Sequence, residues 1–165
     1  MQIHHNVIRD TQTAGIKVHY GSLNRIWNNL FLNTSNVLGN SGSAQLLAAG
    51  SKDMNTSLNV FDGNIVVMHN ESTEKVLSGE FTTPYFSSVD RNLYFNPQHD
   101  LETWNRTLTP LGTFLHWQEA GYDTHSLVAD PLFRDPDVGD FCLEADSPAF
   151  AAIGFTAIPD SICMC

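Results

Sequence analysis

At 165 residues the chain is long enough for one domain with a core and too short for two ordinary ones. With 42% hydrophobic and only 16% charged residues, it is neither a coiled coil nor a highly charged disordered tail, and no apolar run reaches the ~18 residues of a membrane span. Eight basic against eighteen acidic residues give a net charge of −10, which repels phosphate backbones and argues against nucleic acid as a partner.

The charge is unevenly spread. Residues 1–100 carry six Lys or Arg against eight Asp or Glu, whereas residues 101–165 carry two against ten, and all fourteen asparagines fall at or before Asn105. Two regimes within one domain follow: a repetitive part over residues 1–112 and a helix with an end-cap module over residues 113–165. Met1 is followed directly by Gln2-Ile3-His4-His5-Asn6, with neither a basic nor an apolar leader region. The residues read as having no signal peptide, and the expectation is a sequence that begins inside a longer chain.

One eight-residue word occurs four times: apolar, two variable residues, Asn, two apolar residues, two more. It reads Ile3-His-His-Asn6-Val-Ile-Arg-Asp10, Ile26-Trp-Asn-Asn29-Leu-Phe-Leu-Asn33, Phe61-Asp-Gly-Asn64-Ile-Val-Val-Met68 and Val89-Asp-Arg-Asn92-Leu-Tyr-Phe-Asn96. Spacings of 23, 35 and 28 residues between the asparagines are those of stacked repeats. The flanking Ile, Val, Leu, Phe and Tyr suit strands, while Asn tolerates left-handed backbone and bonds turn amides. A strand–turn–strand corner is expected, with Asn6, Asn29, Asn64 and Asn92 forming a structural ladder where passes of the chain stack ~4.8 Å apart. Further strands are expected at Gly15–His19, Ala44–Ala48 and Lys75–Ser78, with loops at Thr34–Ser43, around His69–Phe81 and from Pro97 to Thr113. The architecture these features imply is an all-β, right-handed parallel β-helix.

In the last third, Thr113-Phe-Leu-His-Trp-Gln-Glu-Ala-Gly121 predicts a short helix with Thr113 as N-cap and Gly121 as terminator. Ser126–Phe133 reads as a strand broken at Pro131. A loop, Arg134–Asp140, leads to the strand Phe141–Glu144, and Ser147-Pro148 opens one helical turn ending near Gly154. This module is expected to close the end of the stack. The closing stretch Ala129-Asp-Pro-Leu-Phe-Arg-Asp-Pro-Asp-Val-Gly-Asp-Phe-Cys-Leu-Glu-Ala-Asp-Ser-Pro-Ala149 resembles the end of proteins of the pectate-lyase-like superfamily. Asp10-Thr-Gln-Thr-Ala-Gly15 continuing to His19-Tyr20-Gly21, Arg91–Asn96 and Gly121–Ser126 carry the same resemblance over nearly the whole chain. The resemblance implies an extracellular or cell-surface glycan context, with preceding coils before Met1.

Chemistry on polysaccharides divides into elimination, which needs a base and a charge-stabilising cation, and hydrolysis, which needs two carboxyl groups roughly 5–10 Å apart. The densest polar cluster supplies the catalytic candidates Asp10, Lys17 and His19, with Arg9, Gln12 and Tyr20 as substrate-binding candidates. Lys17 and His19 alternate with Ile16 and Val18, so both project from one strand face. Of the neighbours His4 and His5, alternation lets at most one face the same way. Asp123 and His125 read as loop hydrogen-bonding residues before the capping strand, and Trp27, Tyr85, Tyr94, Trp104 and Trp117 as core or sugar-stacking rings. Asp135, Asp137 and Asp140 have the chemistry of a calcium loop, yet Gly139 and the prolines read equally as a turn; no metal site or cofactor is expected. Cys142, Cys163 and Cys165 leave three readings open: a bridge from Cys142 to one of the tail pair, free thiols, or a frayed end. The sequons at Asn33, Asn55, Asn70 and Asn105 fit a glycosylated surface. The functional expectation is a polysaccharide lyase or glycoside hydrolase, with a non-catalytic carbohydrate-binding or structural module as the alternative.

Overall fold

A computed structural model describes residues 1–19, 21–34, 44–49, 58–68, 75–79 and 85–164. The first pass of the chain forms strands β1 (Gln2–His4), β2 (Val7–Arg9) and β3 (Ala14–His19). The second forms β4 (Arg25–Trp27), β5 (Leu30–Leu32) and β6 (Ala44–Ala49), and the third β7 (Asn59–Asp62), β8 (Ile65–Val67) and β9 (Lys75–Gly79). A fourth begins with β10 (Phe86–Asp90) and β11 (Leu93–Phe95). Equivalent strands pair in parallel: sheet A is β1-β4-β7-β10, sheet B joins β2, β5, β8 and β11 with β12 (Leu127–Val128), and sheet C is β3-β6-β9.

The word explains its own geometry residue by residue. Its first position points inward: Ile26, Phe61 and Val89 are buried, and Ile3 packs on the same cluster. Its third position, His5, Asn28, Gly63 or Arg91, takes left-handed backbone with φ of 56°, 53°, 65° and 52°. That turn aims the fourth residue, the asparagine, along the stacking direction. Asn6 Nδ2 donates to Asn29 Oδ1 at 2.9 Å, Asn29 Nδ2 to Asn64 Oδ1 at 3.0 Å, and Asn64 Nδ2 to Asn92 Oδ1 at 3.2 Å. Each amide also donates to the carbonyl two residues back, and so closes its own turn. A second pair, Asn24 and Asn59, repeats the motif at the entry to sheet A.

The closed, all-β right-handed parallel β-helix expected from the sequence has to be corrected. The described residues form separate parallel sheets of four, five and three short strands, with an antiparallel pair, a 3-10 turn and three short α-helices. Sheet C stops at β9, and after β11 the described chain runs through turns into helix α1 (Phe114–Glu119), which Thr113 caps through its side chain. The physical reason is that the asparagine column fixes register at one corner only. A periodic corner aligns passes of the chain, but it does not require the remaining sides to close.

The C-terminal module divides its work. Trp117 and Phe114 of α1 lie fully buried against the last pass, with Tyr94 edge-on to Phe114 at 5.1 Å. The rest lies along the outer side of sheet B. Strand β13 (Phe133–Asp135) pairs antiparallel with β14 (Asp140–Leu143), followed by α2 (Pro148–Ala152, capped by Ser147) and α3 (Asp160–Cys163). Cys142, Ala149, Ile153, Phe155, Ile158 and Cys163 cluster there with Leu30, Leu32, Ile65 and Leu93. Phe31, Val66 and Tyr94, from alternate positions of the same strands, belong to the inner core. Sheet B is therefore buried on both sides, which is why its words read as unbroken apolar runs.

One close approach is diagnostic of the stacking. Gly79 closes β9 with φ +102°, and a Cβ there would stand 1.8 Å from the Ala48 carbonyl oxygen of the strand below. Gly79→Ala is expected to cost about 2 kcal/mol or more in urea unfolding. A cost within error of zero would show that β9 does not lie this close to β6.

Candidate functional site

Because side chains alternate along a strand, the residue after each buried first position of the word faces outward. In-register pairing sets His4 beside Trp27, Trp27 beside Asp62 and Asp62 beside Asp90, a row across the outer face of sheet A. Arg25 and the corner residue Arg91 flank this row. Arg91 reaches Asp62 Oδ2 at 3.2 Å, while Arg25 Nε lies 3.6 Å from Asp62 Oδ1, beyond hydrogen-bond range. Asp62 Oδ1 is buried and has no hydrogen-bond donor. The Arg25 guanidinium sits 4.6 Å above the Trp27 ring, against which His4 also stacks at 4.2 Å.

Arg25, Trp27, Asp62 and Arg91 line an open groove of about 400 Å³, whose far wall is the end of α2, Ala152 to Gly154. Asn28 holds that wall: its side chain donates to the Thr156 carbonyl and accepts from the Thr156 amide. The Arg25 and Arg91 side chains remain more than half exposed, so two guanidiniums face solvent on a chain of net charge −10. At the end of the row, His125 bonds Asp90 through both its backbone amide (2.8 Å) and its ring Nδ1 (2.7 Å). Partial burial pushes the Asp90 carboxyl up, but the bonds from His125 outweigh it and hold the group below its usual range.

The ladder ends on a buried carboxylate. Asp123 accepts from Asn92 Nδ2 (3.0 Å), Tyr94 Oη (3.0 Å), Trp117 Nε1 (2.8 Å) and Ser126 Oγ (2.5 Å). Complete burial raises its pKa to about 6, although all four donors pull it down. Asp123 is thus the acceptor that terminates the asparagine column.

The expected site residues fall elsewhere. Asp10 closes β2 of sheet B with φ 53°, and its carboxylate is engaged by Arg9 Nε at 2.7 Å and Asn33 Nδ2 at 3.0 Å. The Arg9 guanidinium lies 5.2 Å over Phe141 of the C-terminal module. Lys17 and His19 share the exposed face of β3 in sheet C, and Gln12 is exposed in the turn before it. Tyr20 lies outside the described residues, as do Asn55, Asn70, Cys165 and most of the loops expected at 34–43 and 69–81.

His4 and His5 do not diverge as alternation requires. The strand ends at His4, the left-handed turn at His5 swings its ring back, and the two Nδ1 atoms lie 2.8 Å apart. Between Asp135 and Asp140 the chain makes a 3-10 turn, Pro136–Val138, closed by Gly139 at φ 86°, with Asp140 paired to Arg134. Trp117, Tyr94 and Tyr85 are buried, whereas Trp104 stacks on His99 at 4.2 Å. Among the cysteines, Cys142 and Cys163 form a disulfide. Among the described residues, no helix is long and apolar enough to cross a membrane.

Sequence reasoning passed over Arg25, Asp62, Asp90 and Arg91 because they occupy or flank the word's variable positions. The available signal was the clustering of charged and aromatic residues at those positions. No protein-family model, curated protein or solved structure matches the chain.

Proposed function

We propose that the protein binds an acidic polysaccharide at the cell exterior, in the groove on the outer face of sheet A. The observation that carries this reading is the Arg25–Asp62–Arg91 group beside Trp27. Two partly exposed guanidiniums present planar donor forks suited to sugar carboxylates. Trp27 holds Arg25 over its ring, and Asp62 anchors Arg91 beside it. The resemblance to pectate-lyase-like proteins and the Cys142–Cys163 bridge, a feature of oxidising compartments, support the same context.

Affinity electrophoresis of the full chain in gels containing a polyuronate or a neutral glucan tests it. Retardation is expected in the polyuronate gel alone, weakening with added salt. Arg91→Ala and Trp27→Ala should each lower affinity about tenfold, which corresponds to ~1.4 kcal/mol. Equal mobility in both gels, or unchanged retardation of the variants, would overturn the reading.

The Asp90–His125 pair favours a second reading, a lyase or hydrolase on the same face. An imidazole whose Nδ1 is held by a carboxylate is oriented to take a proton at Nε2. Unsaturated-product absorbance or new reducing ends, lost in His125→Ala, would support catalysis; their absence with retained binding leaves the binding module.

A further inference from the structure

The geometry points to a metal site concealed by the Cys142–Cys163 disulfide: on reduction, the two thiolates and the Asp160 carboxylate take a zinc-like divalent cation. Three observations converge on it. First, Asp160 and Cys163 stand three residues apart in α3, so they share a helix face, and that face meets Cys142 of β14. Their donor atoms all lie within 4.8 Å of one another, with Cys142 Sγ 3.9 Å from Asp160 Oδ1. Tetrahedral zinc with Zn–S of about 2.3 Å and Zn–O of about 2.1 Å sets its donors roughly 3.4–3.8 Å apart; the Asp160 oxygen already stands near that spacing from Cys142 Sγ, and the two sulfurs must part from bonding distance once the bridge opens.

Second, the carboxylate is already oriented. Arg134 Nη2 lies 3.4 Å from Asp160 Oδ2 and 3.3 Å from Asp140 Oδ1, while Arg134 Nε holds Asp140 Oδ2 at 3.2 Å. The other oxygen, Oδ1, is thereby left turned towards Cys142, the outer-shell arrangement that fixes metal-binding carboxylates. Third, there is room. A cavity of about 70 Å³ is lined by Cys142, Cys163, Asp160 and Arg134 together with Phe141 and Phe155. About 10–15 Å³ of such space holds one water, so the cavity has room for a water as fourth ligand.

The chemistry balances with a named reductant. A phosphine attacks one sulfur and the S–S bond breaks. Water supplies the phosphine-oxide oxygen and the two thiol protons, so the phosphine is oxidised and the cystine reduced. The cation then displaces both thiol protons to solvent, and binding tightens as pH rises. In an oxidising compartment the bridge keeps the site closed; reduction opens it. This inference is independent of the glycan reading, since sheet A contributes no ligand.

The test is titration of the full chain with Co²⁺ after reduction by a phosphine, followed by thiolate-to-cobalt charge-transfer absorption. One equivalent should bind with that absorption, Zn²⁺ should displace it, and the oxidised chain should show none. Cys165→Ser should leave the signal unchanged. Asp160→Asn keeps the disulfide and its exposed position, and should weaken Co²⁺ binding at least tenfold. An absorption that survives in Cys142→Ser, or binding equally tight in Asp160→Asn, would overturn the site, as would absence of the band in a reduced chain whose far-ultraviolet circular dichroism is retained.

Discussion

Asn64→Ala is expected to lower the unfolding free energy by about 4 kcal/mol, whereas Asn6→Ala should cost under about 1 kcal/mol. The two residues occupy the same place in the word and differ in what surrounds them. Asn64 is fully buried. Its Nδ2 donates to Asn92 Oδ1 and to the carbonyls of Ile26 and Asp62, while its Oδ1 accepts from the backbone and side-chain amides of Asn29. Truncation removes five bonds at once and leaves several polar groups without partners away from water, at about 1–3 kcal/mol for each unsatisfied group. Asn6 is exposed, and water replaces what its side chain loses. Urea unfolding with an unchanged denaturant slope measures both losses. Equal losses at the two positions would mean that burial, and with it the asparagine column, does not decide the energetics.

That contrast marks what was legible. The word announces its corner because an amide between two apolar runs has few uses besides closing a turn, and four repeats let equivalent positions be compared. The helix at Phe114–Glu119 and the turn at Pro148–Ala152 were legible for the same reason: Thr113 and Ser147 are caps whose chemistry is local. α3 was missed because nothing local marks it. It has four residues and no side-chain cap, and it is tied down by Cys163 to Cys142, a pairing that spacing could not separate from Cys165.

The overall architecture was over-read in one direction. A column at one corner was extended to a closed winding, whereas among the described residues sheet C has three strands and the chain from β13 onward lies on the flank of sheet B. The groove was under-read for a related reason. Arg25, Asp62 and Arg91 meet only through pairing across offsets of 35 and 28 residues, so their chemistry belongs to the register and to no single segment. The cluster of Asp10, Lys17 and His19 was drawn from nearness in sequence, but Asp10 ends a strand of sheet B while Lys17 and His19 stand on sheet C.

The buried carboxylate at the foot of the ladder gives the chain a pH dependence opposite to that of an ordinary ion-paired aspartate. Asp123 is raised by burial from 3.8 to about 6 in the folded chain, its four donors only partly offsetting the loss of water. Between those two values the native state binds more protons than the unfolded state, so stability falls as pH rises. The contribution is fully present below about pH 4 and is lost through about pH 6. A shift of roughly two units corresponds to about 3 kcal/mol. The other titratable group on this carboxylate is Tyr94, whose hydroxyl is itself pushed up by burial and by the Asp123 charge, and therefore stays protonated throughout that range. Asp123→Asn removes the titration but sets an NH2 against two of the four donors, so the variant should be less stable than the parent at pH 4. The gap between them should narrow by about 3 kcal/mol by pH 7. Denaturant unfolding of both proteins at half-unit pH steps gives the difference directly. A gap independent of pH over that range would place the Asp123 carboxyl in contact with water and remove it as the ladder's buried terminus.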